Sequence, residues 1–222
     1  NDEIKKVLQE FEMPYGYAFK FGGEQEKQAE EMAFLSNALL LAIFMIFLII
    51  VSQFNKITTP FIIMISVILS TIGVFMGLII FQMDFVVIMT MIGIISLAGI
   101  VVNNAIVLID FIEVSRKRKH IELGLENLEI AHIIEAIAEA GATRLRPVLL
   151  TAITTILGLI PLAVGINIDF MKFLSEYNAD FYLGGDNVAF WGPMSWTIIF
   201  GLTFATFLTL IIVPVMYLFF AR

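Results

Sequence analysis

The chain has 222 residues, of which 59% are hydrophobic and only 15% charged, a balance well away from the roughly half apolar and quarter charged make-up of soluble domains. With a mean hydropathy of +0.95 it excludes an ordinary soluble domain. The net charge of −7 carries no basic footprint for nucleic acid, and the absence of Cys excludes a disulfide framework and a thiolate metal site.

Residues Asn1–Glu31 are polar and read as an extracytoplasmic segment leading into the first helix. Ile4, Val7, Leu8 and Phe11 recur at helical spacing until Pro14 stops the run. Tyr15–Phe21 alternates aromatic and small residues, which predicts a short strand, and Gly22-Gly23 breaks it. The chain opens on Asn1 with no signal peptide, so we expect it to be cut from something longer.

The remainder, 32–222, reads as a transmembrane domain. About 20 apolar residues of helix cross a bilayer. Five stretches meet that length, predicting spans near Phe34–Gln53, Phe61–Phe81, Val86–Ile112, Pro147–Ile166 and Trp196–Phe220. Between the third and fourth lies the long polar connection Glu113–Arg146. It opens with the basic run Arg116-Lys117-Arg118-Lys119 and continues as a predicted amphipathic helix over 121–142, with Leu125, Leu128, Ile133 and Ile137 apolar. His120 and His132 fall in this polar segment and read as solvated residues. Pro147 is expected in the first turn of the fourth span, where its missing N–H is harmless. Asn167–Ser195 is a predicted extracytoplasmic loop with a bend at Gly184-Gly185-Asp186. The fold class is therefore an all-α membrane protein, a bundle of five transmembrane helices.

Lys and Arg concentrate at the Lys56 turn, the Arg116–Arg146 connection and Arg222, which predicts that these face the cytoplasm, the C-terminus included. The opposite side holds the Gln82–Asp84 turn and a loop whose only basic residue is Lys172, with Trp191 and Trp196 near the boundary. Asn1–Glu31 sits on that side despite its four lysines, because folded domains translocate largely regardless of charge.

Polar residues inside spans need other helices, since lipid offers no hydrogen bonds. On the second span Ser66, Ser70, Gly73 and Gly77 form one narrow stripe suited to helix packing. On the third, Ser96, Gly99, Asn103 and Asp110 fall within about one-sixth of a turn, with Asn104 about 100° away. Ser96 and Gly99 are expected in packing. The two amides serve either as interhelical hydrogen-bond partners or as a polar path for an ion. On the fourth, Thr151, Thr154, Thr155 and Gly158 share a face below Arg144 and Arg146, which anchor the helix end or reach inward to a carboxylate. No P-loop, zinc motif or nucleophile elbow occurs, so neither an enzyme nor a cofactor is expected.

Several runs resemble the resistance-nodulation-division (RND) superfamily, most closely its hydrophobe/amphiphile multidrug branch. They are Pro14-Tyr15-Gly16-Tyr17, Gly22-Gly23-Glu24-Gln25-Glu26, the stretch from Gly99 through Asn103-Asn104 to Asp110, and Arg144-Leu145-Arg146-Pro147-Val148-Leu149-Leu150-Thr151-Ala152. The resemblance covers essentially the whole chain. It implies the last five helices of a pump's second half, with Asn1–Phe21 as the closing helix and strand of a periplasmic porter domain. It further implies a homotrimer in the bacterial inner membrane, in contact with membrane lipid and working with a periplasmic adaptor and an outer-membrane channel. Protons would move inward as amphiphilic drugs leave. In such pumps an Asp pair on the absent N-terminal half meets relay residues on this half. The relay Lys falls at Asn103, the relay Arg at Arg144 and a relay Thr at Thr151, with Asn104 beside them. Asn103 departs from the pattern, because a neutral amide does not pair with Asp as an ammonium does. Two other readings stand beside this one. The first is a truncated, non-transporting membrane scaffold. The second is heavy-metal efflux in the same superfamily, with Met45, Met64, Met76 and Met91 as a conceivable relay but more simply lipid-facing or core residues.

Overall fold

A computed structural model describes residues 23–124, 129–168, 174 and 181–220. The helix and strand expected within Asn1–Phe21 lie outside the described residues. So do Leu125, Leu128 and Lys172.

Five helices are long and apolar enough to cross a membrane. They are α1 (Glu24–Phe54), α2 (Thr58–Ile80), α3 (Val87–Leu123), α4 (Ile130–Val164) and α5 (Asp186–Phe220). Each overlaps one of the five predicted spans, with Phe81, Val86, Gly165 and Ile166 falling just outside the helices, and the described architecture is an all-α membrane bundle.

Two helices run well past the expected spans. The basic run Arg116–Lys119 lies on α3, which continues to Leu123 and stops where Gly124 takes the left-handed conformation at φ 61. The separate amphipathic helix expected over 121–142 is not formed: 121–123 end α3, and 130–142 open α4, which is continuous from Ile130 to Val164. Pro147 is therefore interior to α4 and not in its first turn. The stretch Ile130–Ala142 is rich in Ala, Glu and Ile, and its helix propensity carries the coil through. Proline leaves the carbonyl four residues earlier without its usual donor. That residue is Thr143, which is exposed, so water can replace the lost bond. The ion pairs Lys119–Glu135 and Arg118–Glu139, the latter at 3.8 Å, join the two extensions.

α5 is the centre of the bundle, packing on α2, α3 and α4. Glycines let backbones come close. A Cβ on Gly73 would lie 2.3 Å from Phe204 Cβ, one on Gly77 2.2 Å from Phe200 Cγ, and one on Gly201 2.2 Å from Leu97 Cδ2. Ser66 and Ser70, on the same stripe of α2, are buried and donate to their own helix at Ile62 O (3.3 Å) and Val67 O (2.6 Å). Such packing, rather than apolar burial, holds helices together in lipid. The outward residues of α2, including Phe61, Ile68, Phe75 and Ile79, are exposed and apolar, as a lipid-facing stripe requires. α1 is peripheral, with Leu35 and Ile50 as its buried apolar residues and Phe34, Leu40, Phe44 and Ile49 turned outward.

The described ends of the connection after α4 pair as a two-stranded ribbon. Gly165 caps α4 at φ 78, and β1 (Ile166–Ile168) pairs antiparallel with β2 (Phe181–Leu183). Asn167 Nδ2 donates to Gly165 O (3.1 Å) and Gly184 O (2.6 Å), closing the base of this ribbon. α5 then starts at Asp186, before the predicted span at Trp196. The Trp196 indole N–H donates to Ala163 O at 3.1 Å, satisfying a carbonyl that the end of α4 would otherwise leave unpaired.

Candidate functional site

α3 and α4 pack side by side, and each carries polar and small residues that no described residue covers. On α3, Ser96, Gly99, Asn103 and Asp110 are exposed, while Asn104, about 100° away, is buried. A Cβ added to Gly99 would meet nothing within 4 Å. The packing expected of Ser96 and Gly99 therefore has no partner among the described residues. This contrasts with Gly73 and Gly77, which face α5 directly.

On α4, Thr151 and Thr154 are exposed, Thr155 is half-buried, and Gly158 is as open as Gly99. The threonine hydroxyls bond their own helix: Thr151 to Val148 O (2.9 Å), Thr154 to Leu150 O (2.9 Å), and Thr155 to Thr151 O (2.8 Å). Each proton is thus satisfied internally, while the hydroxyl oxygen keeps lone pairs for an outside donor.

Arg144 is half-buried at one end of this face, with its guanidinium 4.5 Å above the Phe111 ring. Its Nε is buried without a hydrogen-bond partner, and among the described residues it forms no ion pair. Stacking on an aromatic face suits the planar, weakly hydrated guanidinium and holds it in one orientation. Arg146 is exposed, and the charges of Arg144 and Asp110 sit at the same end of the face, on neighbouring helices.

Met45 and Met76 are exposed, on α1 and α2, whereas Met91 packs against the core of α3. Among the described residues no group of three or more His, Cys, Asp or Glu is placed to hold a metal ion.

Five long apolar helices, two of them with a polar face that no described residue covers, define a multi-pass membrane domain. The chain belongs to the AcrB/AcrD/AcrF family, whose sequence model matches residues 1–168, and hence to the RND superfamily of efflux transporters. The swarming motility protein SwrC of Bacillus subtilis (strain 168) is 36% identical over 214 residues, which is 96% of this chain and 18% of that protein. The multidrug resistance protein MdtC of Klebsiella pneumoniae (strain 342) is 27% identical, over 100% of this chain and 19% of that protein. The cobalt-zinc-cadmium resistance protein CzcA of Cupriavidus metallidurans is 26% identical, over 95% and 17%. The solved structure of a heavy metal efflux pump superposes with a TM-score of 0.68 at 25% identity, covering 97% of this chain and 19% of that one. The chain thus spans less than a fifth of these relatives' length. Multidrug resistance proteins and heavy-metal resistance and efflux proteins are both among them.

Sequence reasoning missed the contacts that fix the bundle's two ends: Arg116 with Tyr217, and Trp196 with Ala163. One signal for the first was present. No Gly or Pro separates Ile112 from Leu123, so the helical pattern of the third span had no reason to stop.

Proposed function

We propose that this chain is the carboxy-terminal membrane part of a proton-driven RND efflux permease exporting amphiphilic toxic compounds. The observation that carries the reading is the open face made by Ser96, Gly99 and Asn103 on α3 and by Thr151 and Gly158 on α4. Polar groups at membrane depth are costly without partners. The small residues beside them allow another helix to approach closely. The natural occupant is a helix of the permease's other half carrying paired carboxylates.

In this account Asn103, Arg144 and Thr151 are the partners presented to those carboxylates, and the buried Asn104 backs Asn103 from within the bundle. An ionised Asp accepts hydrogen bonds from the Asn103 amide and is drawn to Arg144. Arg144 has no carboxylate of its own among the described residues, which leaves its charge available. A protonated Asp loses the attraction to Arg144, so the helix packing has two arrangements biased by one proton. Rigid helices carry the shift to the extracytoplasmic domain. The assembly is a homotrimer in the bacterial inner membrane with the C-terminus cytoplasmic, acting with a periplasmic adaptor and an outer-membrane channel. Heavy-metal export is the second reading, supported by the likeness to a heavy metal efflux pump and to CzcA.

The test is efflux from cells carrying Asn103→Ala or Thr151→Ala, with membrane level and assembly verified. Both variants are expected to lose export of a cationic dye. Full export by both would refute the relay.

A further inference from the structure

At the basic end of the bundle, the α1–α2 turn, the outer turns of α3 and the end of α5 enclose a cavity of about 360 Å3 lined by Lys56, Glu113, Arg116, Lys117, Ile121 and Tyr217, with His120 beside them. A second hollow of about 260 Å3 shares Lys56, Glu113, Arg116 and Tyr217 and runs on past Thr59 and Ile62 to Phe220. The two hollows adjoin at these four shared residues, with the exposed apolar side chains of Ile121 and Phe220 beside them.

Their charges are not balanced. Glu113 is engaged by Lys56 at 2.7 Å. Arg116 Nη1 donates to the neutral Tyr217 hydroxyl at 2.9 Å, and Arg116 Nε is buried with no partner. Lys117 forms no ion pair among the described residues. Two cations thus share the hollow with one carboxylate that Lys56 already engages, and an anion seated here would offset their charge. The surroundings say what kind of anion. Ile121 and Phe220, 81% and 45% exposed, stand beside the cations at the ends of spanning helices. Tyr217 is an aromatic with a polar tip at the same level. Exposed apolar side chains next to basic ones at that depth match the bilayer's headgroup layer, where acyl chains and phosphates meet.

We propose that this cavity binds the phosphate of an anionic phospholipid. The Arg116 guanidinium and the Lys117 ammonium face the phosphate oxygens, and an acyl chain lies along Ile121 and Phe220. The bound lipid would tie the α1–α2 turn to α3 and α5. The site is remote in sequence from Asn103, Arg144 and Thr151, and it rests only on the helices spanning a membrane.

The test uses the protein extracted from its membrane with the full chain intact, in nanodiscs of phosphatidylcholine with a minor share of phosphatidylglycerol. Retained phosphatidylglycerol is counted by native mass spectrometry. Lys117→Gln is expected to lower retention about fivefold, the effect of one basic residue on anionic-lipid binding. Arg146→Gln removes the same charge from an exposed position that does not line the cavity, and is expected to leave retention unchanged. Wild-type retention in Lys117→Gln would overturn the proposal. So would equal losses in both variants, which would signify general surface attraction. Displacement of the lipid by an equal concentration of inorganic phosphate would reduce the site to a simple anion site and overturn the lipid assignment.

Discussion

Replacing Gly73 by Ala puts one methyl group into a close approach of the α2 and α5 backbones. The new Cβ would lie 2.3 Å from Phe204 Cβ, 2.7 Å from its Cγ and 2.8 Å from its Cδ1. Carbon atoms rest at about 3.5–4.0 Å, so the helices must separate by more than about 1 Å. A rotamer change does not relieve this, because Phe204 Cβ is fixed to its own backbone. Overpacking of this kind costs about 1–3 kcal/mol. Ala in place of Gly in a helix returns up to about 1 kcal/mol. The net expectation is a loss of about 1–2 kcal/mol, measured by unfolding in mixed detergent micelles. Phe204→Ala keeps the Cβ and is expected not to rescue the variant. Gly141→Ala, on α4 away from that stripe and from the open face, is the control, since its Cβ would meet nothing within 4 Å. Its expected change runs from none to a gain of about 1 kcal/mol. A Gly73→Ala protein as stable as the parent would refute the reading of the α2 stripe as a packing surface.

Two further outcomes are expected. Trp196→Phe keeps a ring to stack on Phe200, now 5.3 Å from the indole, but removes the donor to Ala163 O. It should cost about 1 kcal/mol in the same unfolding assay. Arg144→Lys keeps the charge and loses the planar stack on Phe111. A cation–π contact is worth about 1 kcal/mol, so transport is expected to fall roughly fivefold at unchanged membrane level.

The spans were legible because bilayer thickness sets a length that composition either meets or does not, and each predicted span lies within a helix except for at most two residues at an end. The stripe Ser66–Ser70–Gly73–Gly77 was legible for a similar reason: a helix has one period, and small residues repeated on it mark a close approach. Beyond the membrane that logic fails. The ends of α3 and α4 are set by Gly124, by helix propensity across Ile130–Ala142 and by ion pairs between the two extensions, none of which is a hydropathy signal. Pro147 misled because proline begins helices more often than it interrupts them. The ribbon of β1 and β2 escaped notice because runs of three residues carry no periodicity. At the candidate site, spacing put Ser96, Gly99, Asn103 and Asp110 on one face. It did not say that the face is open, nor that Asn104 alone turns inward and Arg144 rests on Phe111. Those depend on which neighbour each helix chooses.

The central claim is that the open face of α3 and α4 couples transport to protons, and proton movement tests it more directly than export does. The full-length protein would be placed in proteoliposomes holding a pH gradient. Proton flux would be recorded when a cationic dye or zinc is added. Asn103→Ala and Thr151→Ala are expected to reduce substrate-driven proton flux at least about tenfold, the loss of roughly 1.4 kcal/mol of transition-state stabilisation. Leu150→Ala, an exposed apolar neighbour on the same helix, is expected to keep it. Undiminished proton flux in Asn103→Ala and Thr151→Ala would contradict the account.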